Sequence, residues 1–220
     1  GDLLHGPNFG AAPPPPHACS VTVRPRYIIT NLTTSELTLC QPECSQPFQL
    51  GTGSDGYRVP FHWPSGSEPQ FLTLTPKGDG MTKSGVFTVT SLGAACMRCW
   101  HLSDSRIVRY FKVTVVAGLA ATLEVSVEEQ TPKQTSYMIY NSAGDDVTVR
   151  QKGVDKPGRF LPVTVPAGKC VPFAWDEPLA RRMVHLEVDC WWMSMDAGDS
   201  GDSGEPFLVG SDFNFDRVGM

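Results

Sequence analysis

Tyr27-Ile28-Ile29-Thr30-Asn31 returns 110 residues later as Tyr137-Met138-Ile139-Tyr140-Asn141, and that recurrence decides the architecture. Each copy is a short run rich in aromatic and β-branched residues closed by Asn, a composition that suits a pleated, half-buried strand. Ten residues beyond each Asn stands a Gln that ends a second run, Leu37-Thr38-Leu39-Cys40-Gln41 and Val147-Thr148-Val149-Arg150-Gln151. Farther on, Val59-Pro60-Phe61-His62-Trp63 answers Val171-Pro172-Phe173-Ala174-Trp175, with 32 residues from Asn to Trp in the first copy and 34 in the second. Alternating runs follow both, Phe71-Leu72-Thr73-Leu74 and Val184-His185-Leu186-Glu187-Val188. Four matches in one order at nearly one spacing mark an internal duplication. Polar turn residues separate each Asn from its second run, so each copy is expected to open on a β-hairpin.

Outward from these runs the chain keeps the same character. Phe111-Lys112-Val113-Thr114-Val115-Val116 and Thr122-Leu123-Glu124-Val125-Ser126-Val127-Glu128 alternate with period two, and no long stretch carries helical spacing. Nineteen prolines and 21 glycines punctuate the 220 residues at short intervals, as strands joined by tight turns require. The expected fold is therefore all-β: two tandem β-sandwich-like repeat modules packed side by side, residues 18–130 and 131–220. Residues 1–17, with Pro13 to Pro16 at their end, read as a proline-rich arm or linker.

Composition narrows the function. With 40% hydrophobic and 19% charged residues the chain is a packed globular protein. A net charge of −5 argues against nucleic acid and against anionic membranes as partners, both of which select basic surfaces. No apolar run approaches the roughly 20 residues of a membrane span, so no direct membrane insertion is expected. The first 20 residues lack the basic and apolar segments of a signal peptide. Seven scattered cysteines suit reduced thiols and a cytoplasmic location rather than a disulfide framework.

Catalytic and metal motifs fail on inspection. Gly198-Asp199-Ser200-Gly201 and Gly201-Asp202-Ser203-Gly204 resemble the nucleophile string of serine proteases, yet no histidine stands in a matching context. The string lies in an acidic Gly/Ser-rich stretch that reads as a solvated loop. Cys40, Cys44, Cys96 and Cys99 have spacings that a four-thiolate zinc site tolerates, but Cys40 aligns with Arg150, so the repeat demands no ligand there. No enzyme, no cofactor and no metal are expected.

The residues left are those of the repeat itself. Asn31 and Asn141 admit two roles: a carboxamide closing an Asx turn at a strand end, or a direct contact to a bound peptide. Trp63 and Trp175 read as core aromatics. The competing reading is a ligand- or carbohydrate-binding β-sandwich that uses exposed tryptophans. Trp191 and Trp192, being adjacent, point to opposite faces of a strand, and Trp191 is a candidate for lining a groove.

Arg24-Pro25-Arg26-Tyr27-Ile28-Ile29-Thr30-Asn31, Pro60-Phe61-His62-Trp63 and Pro172-Phe173-Ala174-Trp175-Asp176-Glu177-Pro178 resemble the adaptor-binding domain of the vacuolar protein sorting thirteen family, very large bridge-like lipid-transfer proteins. The resemblance runs from about Cys19 onward and likens the first copy to the fifth of that domain's six modules and the second to the sixth. It implies capture of Pro-x-Pro motifs of membrane or membrane-associated receptor proteins. It also implies targeting of the parent protein to organelle membrane contact sites, peripherally and from the cytoplasm. On that resemblance the peptide-binding residues are expected to be Asn141, Tyr137, Ile139, Phe173, Trp175 and Trp191, with Asn31 in the first copy. Strand addition at an open sheet edge is the expected mode.

Overall fold

A computed structural model describes residues 21–54, 56–78, 80–154, 161–190 and 207–214. The described chain is nearly all strand, with one short 3-10 turn at Leu119–Ala121. The first copy contains β1 (Tyr27–Asn31), β2 (Leu37–Cys40), β3 (Phe48–Leu50), β4 (Tyr57–Phe61), β5 (Thr73–Pro76), β6 (Gly93–Trp100), β7 (Val108–Ala117) and β8 (Leu123–Gln130). The second contains β9 (Tyr137–Tyr140), β10 (Val147–Gln151), β11 (Val163–Val165), β12 (Cys170–Phe173), β13 (Met183–Cys190) and β14 (Phe207–Asn214).

Alternation explains which residues go inside. In β1 Tyr27, Ile29 and Asn31 are buried while Ile28 and Thr30 are half-buried, and β8 buries Leu123, Val125 and Val127 in the same rhythm. A five-stranded sheet in the order β4-β1-β8-β7-β6 and a three-stranded sheet in the order β3-β2-β5 share one apolar core. Ile29, Phe61, Phe111 and Val125 enter that core from the larger sheet, and Leu37, Leu39, Leu50 and Leu74 from the smaller. The second copy repeats the plan with a β12-β9 pair and a four-stranded sheet, β11-β10-β13-β14, around Val147, Val149, Val165, Phe173, Trp175 and Val184. The molecule is an all-β protein of two sandwich-like modules.

Register confirms the duplication strand by strand. β1 lies antiparallel to β4 with Tyr27 opposite Phe61 and Ile28 opposite Pro60; β9 lies antiparallel to β12 with Tyr137 opposite Phe173 and Met138 opposite Pro172. β2 sits between β3 and β5, as β10 sits between β11 and β13.

The opening hairpin expected from the sequence is not formed. β1 and β2 belong to different sheets, as do β9 and β10. The polar residues after each Asn carry the chain across the sandwich rather than around a tight turn. Two strands that bury alternate side chains look alike whether they pair with each other or face each other across a core.

The two copies meet at the outer edge of β6. Met97 forms a parallel bridge with Trp175, and the backbone N–H of Val86 donates to Glu177 Oε2 at 2.9 Å. Arg98 reaches into the second copy, where Nε donates to Asp176 Oδ1 at 2.6 Å and an Nη donates to Oδ2 at 2.7 Å. The same guanidinium also donates to the Leu161 carbonyl. Both side chains of the pair are only 2% exposed, so two charges are held in the joint without water. Burial pushes the Asp176 carboxyl above its usual range while Arg98 pulls it down. Gly85 passes so close to this segment that a Cβ there would lie 1.8 Å from the Asp176 carbonyl oxygen; only glycine fits.

Candidate functional site

Each signature Asn is spent on backbone. Asn31 donates both Nδ2 hydrogens, to the carbonyls of Ser35 (2.9 Å) and Gly51 (2.8 Å), and accepts from the Thr33 N–H at 3.0 Å. Asn141 makes the same three bonds, to the carbonyls of Asp145 and Val165 (2.8 Å each) and from the Ala143 N–H at 2.9 Å. Both are buried. The Asn closes an Asx turn at the crossing and ties it to the neighbouring strand system, leaving no carboxamide N–H for a ligand. The Gln residues work alike: Gln41 accepts from the Ser65 N–H at 3.0 Å, and Gln151 from the Glu177 N–H at 2.9 Å. A duplicated set of polar pins thus holds each sandwich in shape.

Around Asn141 the structure gathers most of the expected site residues into one cluster. Tyr137 and Ile139 turn their side chains inward from β9 and pack on Phe173 and Trp175, which are buried. Tyr137 and Phe173 each stand edge-on to Trp175, at 5.6 Å and 5.2 Å between ring centroids. The first copy repeats this trio with Tyr27, Phe61 and Trp63 at 5.9 Å and 5.1 Å. These rings shape the sheet from behind. Asn31 lies in the other copy, and Trp191 falls outside the described residues, as do Trp192 and both Gly-Asp-Ser-Gly strings. None of the described tryptophans is exposed: Trp100 and Trp175 are buried and Trp63 is half-buried, so they offer a sugar ring no open aromatic platform.

The largest difference between the copies is at the far edge of β9. In the first copy β1 is an interior strand, with β4 on one side and β8, parallel to it, on the other. In the second copy β9 pairs with β12 alone among the described residues. Pro172, opposite Met138, has no N–H to donate, so Met138 and Tyr140 fall in the set whose backbone groups turn away from β12. The Asn141 N–H, by contrast, donates inward to the Lys169 carbonyl at 2.9 Å. The N–H and C=O groups of Met138 and Tyr140 therefore line an edge able to accept another strand. Their side chains share the outer face and are 47% and 66% exposed. The residues expected from the sequence, Tyr137 and Ile139, are their inward-facing neighbours on the same strand. The signal for Met138 and Tyr140 was present: two large apolar residues at the outward parity of a strand, where the first copy has Ile28 and Thr30.

Burial pushes the Cys99 thiol up to about 12, an inert core thiol. Among the described residues no group of three or more His, Cys, Asp or Glu side chains is placed to hold a metal ion. Cys40, Cys44, Cys96, Cys99 and Cys170 are free thiols.

The family model for the adaptor binding domain of vacuolar-sorting associated protein 13 matches residues 17–182, three quarters of the chain. The chain belongs to this family. The matched span contains both Asn pins, both Gln pins and both Pro-Phe-x-Trp strings. The family is one of adaptor-binding modules. No match was found among curated proteins. No helix among the described residues is long and apolar enough to cross a membrane.

Proposed function

We propose that this adaptor-binding domain captures Pro-x-Pro segments of receptor proteins as an added strand on the open edge of β9, in a module spanning residues 131–220 beside one spanning 18–130. The observation that carries this reading is an edge that no strand among the described residues pairs with, formed by the backbone of Met138 and Tyr140 where the first copy has β8.

The chemistry of the edge favours proline at every second position. Successive residues of a strand turn their N–H and C=O groups to opposite sides. In Pro-x-Pro the two prolines then present their missing N–H groups away from β9, and x uses both its backbone groups on β9. Proline's fixed φ near −65° also lies close to extended geometry, which lowers the entropy lost on ordering. The added strand would carry few outward donors, so it would not recruit a further strand. Captured receptors would hold the parent lipid-transfer protein peripherally at organelle contact sites, on the cytoplasmic side.

A Pro-x-Pro peptide titrated into the 220-residue chain tests the reading, with an Ala-x-Ala peptide of equal length beside it. Saturable binding of the first, at least tenfold tighter than the second, is expected. Equal affinity for the two, or no binding, overturns it.

A further inference from the structure

Thr-Pro-Lys occurs twice in the chain, at Thr75-Pro76-Lys77 and at Thr131-Pro132-Lys133, and no other Thr or Ser precedes a proline. The two strings read alike in the sequence, and the fold separates them. Thr75 lies within β5, opposite Thr38 of β2, with Pro76 opposite Leu37. Thr75 is half-buried and Pro76 is buried. The end of the strand is tied down as well: the Lys77 N–H donates to the Glu36 carbonyl at 2.8 Å, and Lys77 Nζ donates to Glu36 Oε2 at 2.7 Å. Presenting Thr75 to another protein would require pulling β5 out of its sheet.

Thr131 stands between β8 and β9, where the chain crosses from the first copy to the second. Thr131, Pro132, Lys133 and Gln134 are all exposed. The Gln134 N–H donates to the Thr131 carbonyl at 2.8 Å, closing a β-turn with Pro132 at its second position, where proline's fixed φ is favoured. A residue that precedes proline is biased toward extended backbone. The Thr131 hydroxyl donates to Gln134 Oε1 at 2.8 Å, and the Thr131 N–H donates to the same oxygen at 3.3 Å. The hydroxyl thus uses its proton within the turn and keeps its lone pairs open. These bonds join exposed groups, so the turn can open locally while both cores stay packed.

We infer that Thr131 is a phosphorylation site for a proline-directed protein kinase, with ATP as the phosphoryl donor. The Thr131 hydroxyl oxygen attacks the γ-phosphorus, the new Oγ1–P bond replaces the bond from that phosphorus to ADP, and a carboxylate of the kinase takes the hydroxyl proton. Pro132 supplies the feature such a kinase reads, an exposed ring with no N–H to satisfy. Phosphothreonine carries close to two negative charges and strong acceptor oxygens, so the donor to Gln134 is lost and the Lys133 ammonium becomes the neighbouring counter-charge. The new charge falls on the crossing between the copies, five residues before Ser136, whose Oγ lies 2.8 Å from Cys96 Sγ of the first copy. This site is independent of peptide capture at β9.

The test sets the folded chain against free peptides. Peptides of residues 71–78 and 127–134 and the whole chain are incubated with ATP and a mitogen-activated protein kinase, and phosphate is located by mass spectrometry. Both peptides should be labelled, whereas in the whole chain Thr131 should be labelled at least tenfold faster than Thr75. Thr131→Ala should remove that signal. Pro132→Ala should slow labelling of Thr131 at least tenfold while the chain keeps its cooperative melt. A whole chain unlabelled at Thr131 beside a labelled 127–134 peptide means that the turn withholds the hydroxyl, and overturns the inference. Equal rates at Thr75 and Thr131 in the whole chain overturn it too, because the fold would then select neither. An unlabelled 127–134 peptide, or an undiminished rate in Pro132→Ala, removes the recognition by proline on which the inference stands.

Discussion

The two copies agree where a sandwich must be built and differ where one edge stays open. Asn31 and Asn141 make the same three backbone bonds, Gln41 and Gln151 hold equivalent N–H groups, and the aromatic trios stack alike. Yet β1 lies between two strands, whereas β9 pairs with β12 alone among the described residues. The shared parts therefore explain folding, and the unshared edge is where the proposed recognition would take place. An amide saturated by backbone bonds holds the fold at that point, as Asn31 and Asn141 both do.

The joint offers the largest way to break this comparison, because Asp176 has no acidic counterpart; Pro64 follows Trp63 in the first copy. Asp176→Ala or Arg98→Ala leaves one buried charge without its partner and should cost about 3–5 kcal/mol in urea unfolding. It should also split a single transition into two as the copies uncouple. The double change R98M/D176L should recover most of the loss, since a well-packed apolar pair replaces a costly ionic one. The carboxyl also has a pH signature. Burial raises its folded value above the reference 3.8, so the folded chain binds the extra proton. Its contribution to stability is full below that reference value and fades as pH rises through the folded value. A titration of stability with pH on Asp176→Asn should lack this downward slope.

Asn31→Ala and Asn141→Ala sharpen the comparison at the next scale. Each strands buried backbone groups that lose their partners, at about 1–3 kcal/mol of total stability loss by the usual cost of an unsatisfied buried group. Melts should show similar destabilisation for both, whereas Pro-x-Pro titrations should show the greater loss for Asn141→Ala, which loosens the end of β9. Equal loss of binding in both variants would detach recognition from the second copy.

Smaller effects follow from exposure. In the native chain at pH 8 an alkylating reagent should label exposed Cys170 quickly and leave Cys99 unlabelled until unfolding, by mass spectrometry of quenched samples. Deleting residues 1–17, which contain Pro-x-Pro twice within Pro13 to Pro16, should leave a cooperative melt. It should also raise affinity for added peptide a few-fold, because a tethered competitor at high effective concentration is gone. Unchanged affinity would make the arm a passive spacer.

Period-two alternation and the recurrence of Asn, Gln and Pro-Phe-x-Trp made the all-β duplication legible in the sequence, because strand burial is a local property written every second residue. The same local property does not say which sheet a strand joins. The crossings after Asn31 and Asn141 therefore read as hairpins, and only the register of β1 with β4 and β8 placed them between sheets. The inward residues Tyr137, Ile139, Phe173 and Trp175 were visible as apolar matches. The open edge was not, because whether β9 is an edge depends on the position of strands distant in the chain. The Arg98–Asp176 contact, 78 residues apart, was equally silent. Long-range pairing is a property of the folded backbone, and it decided both where the copies are joined and which strands flank β1 and β9 among the described residues.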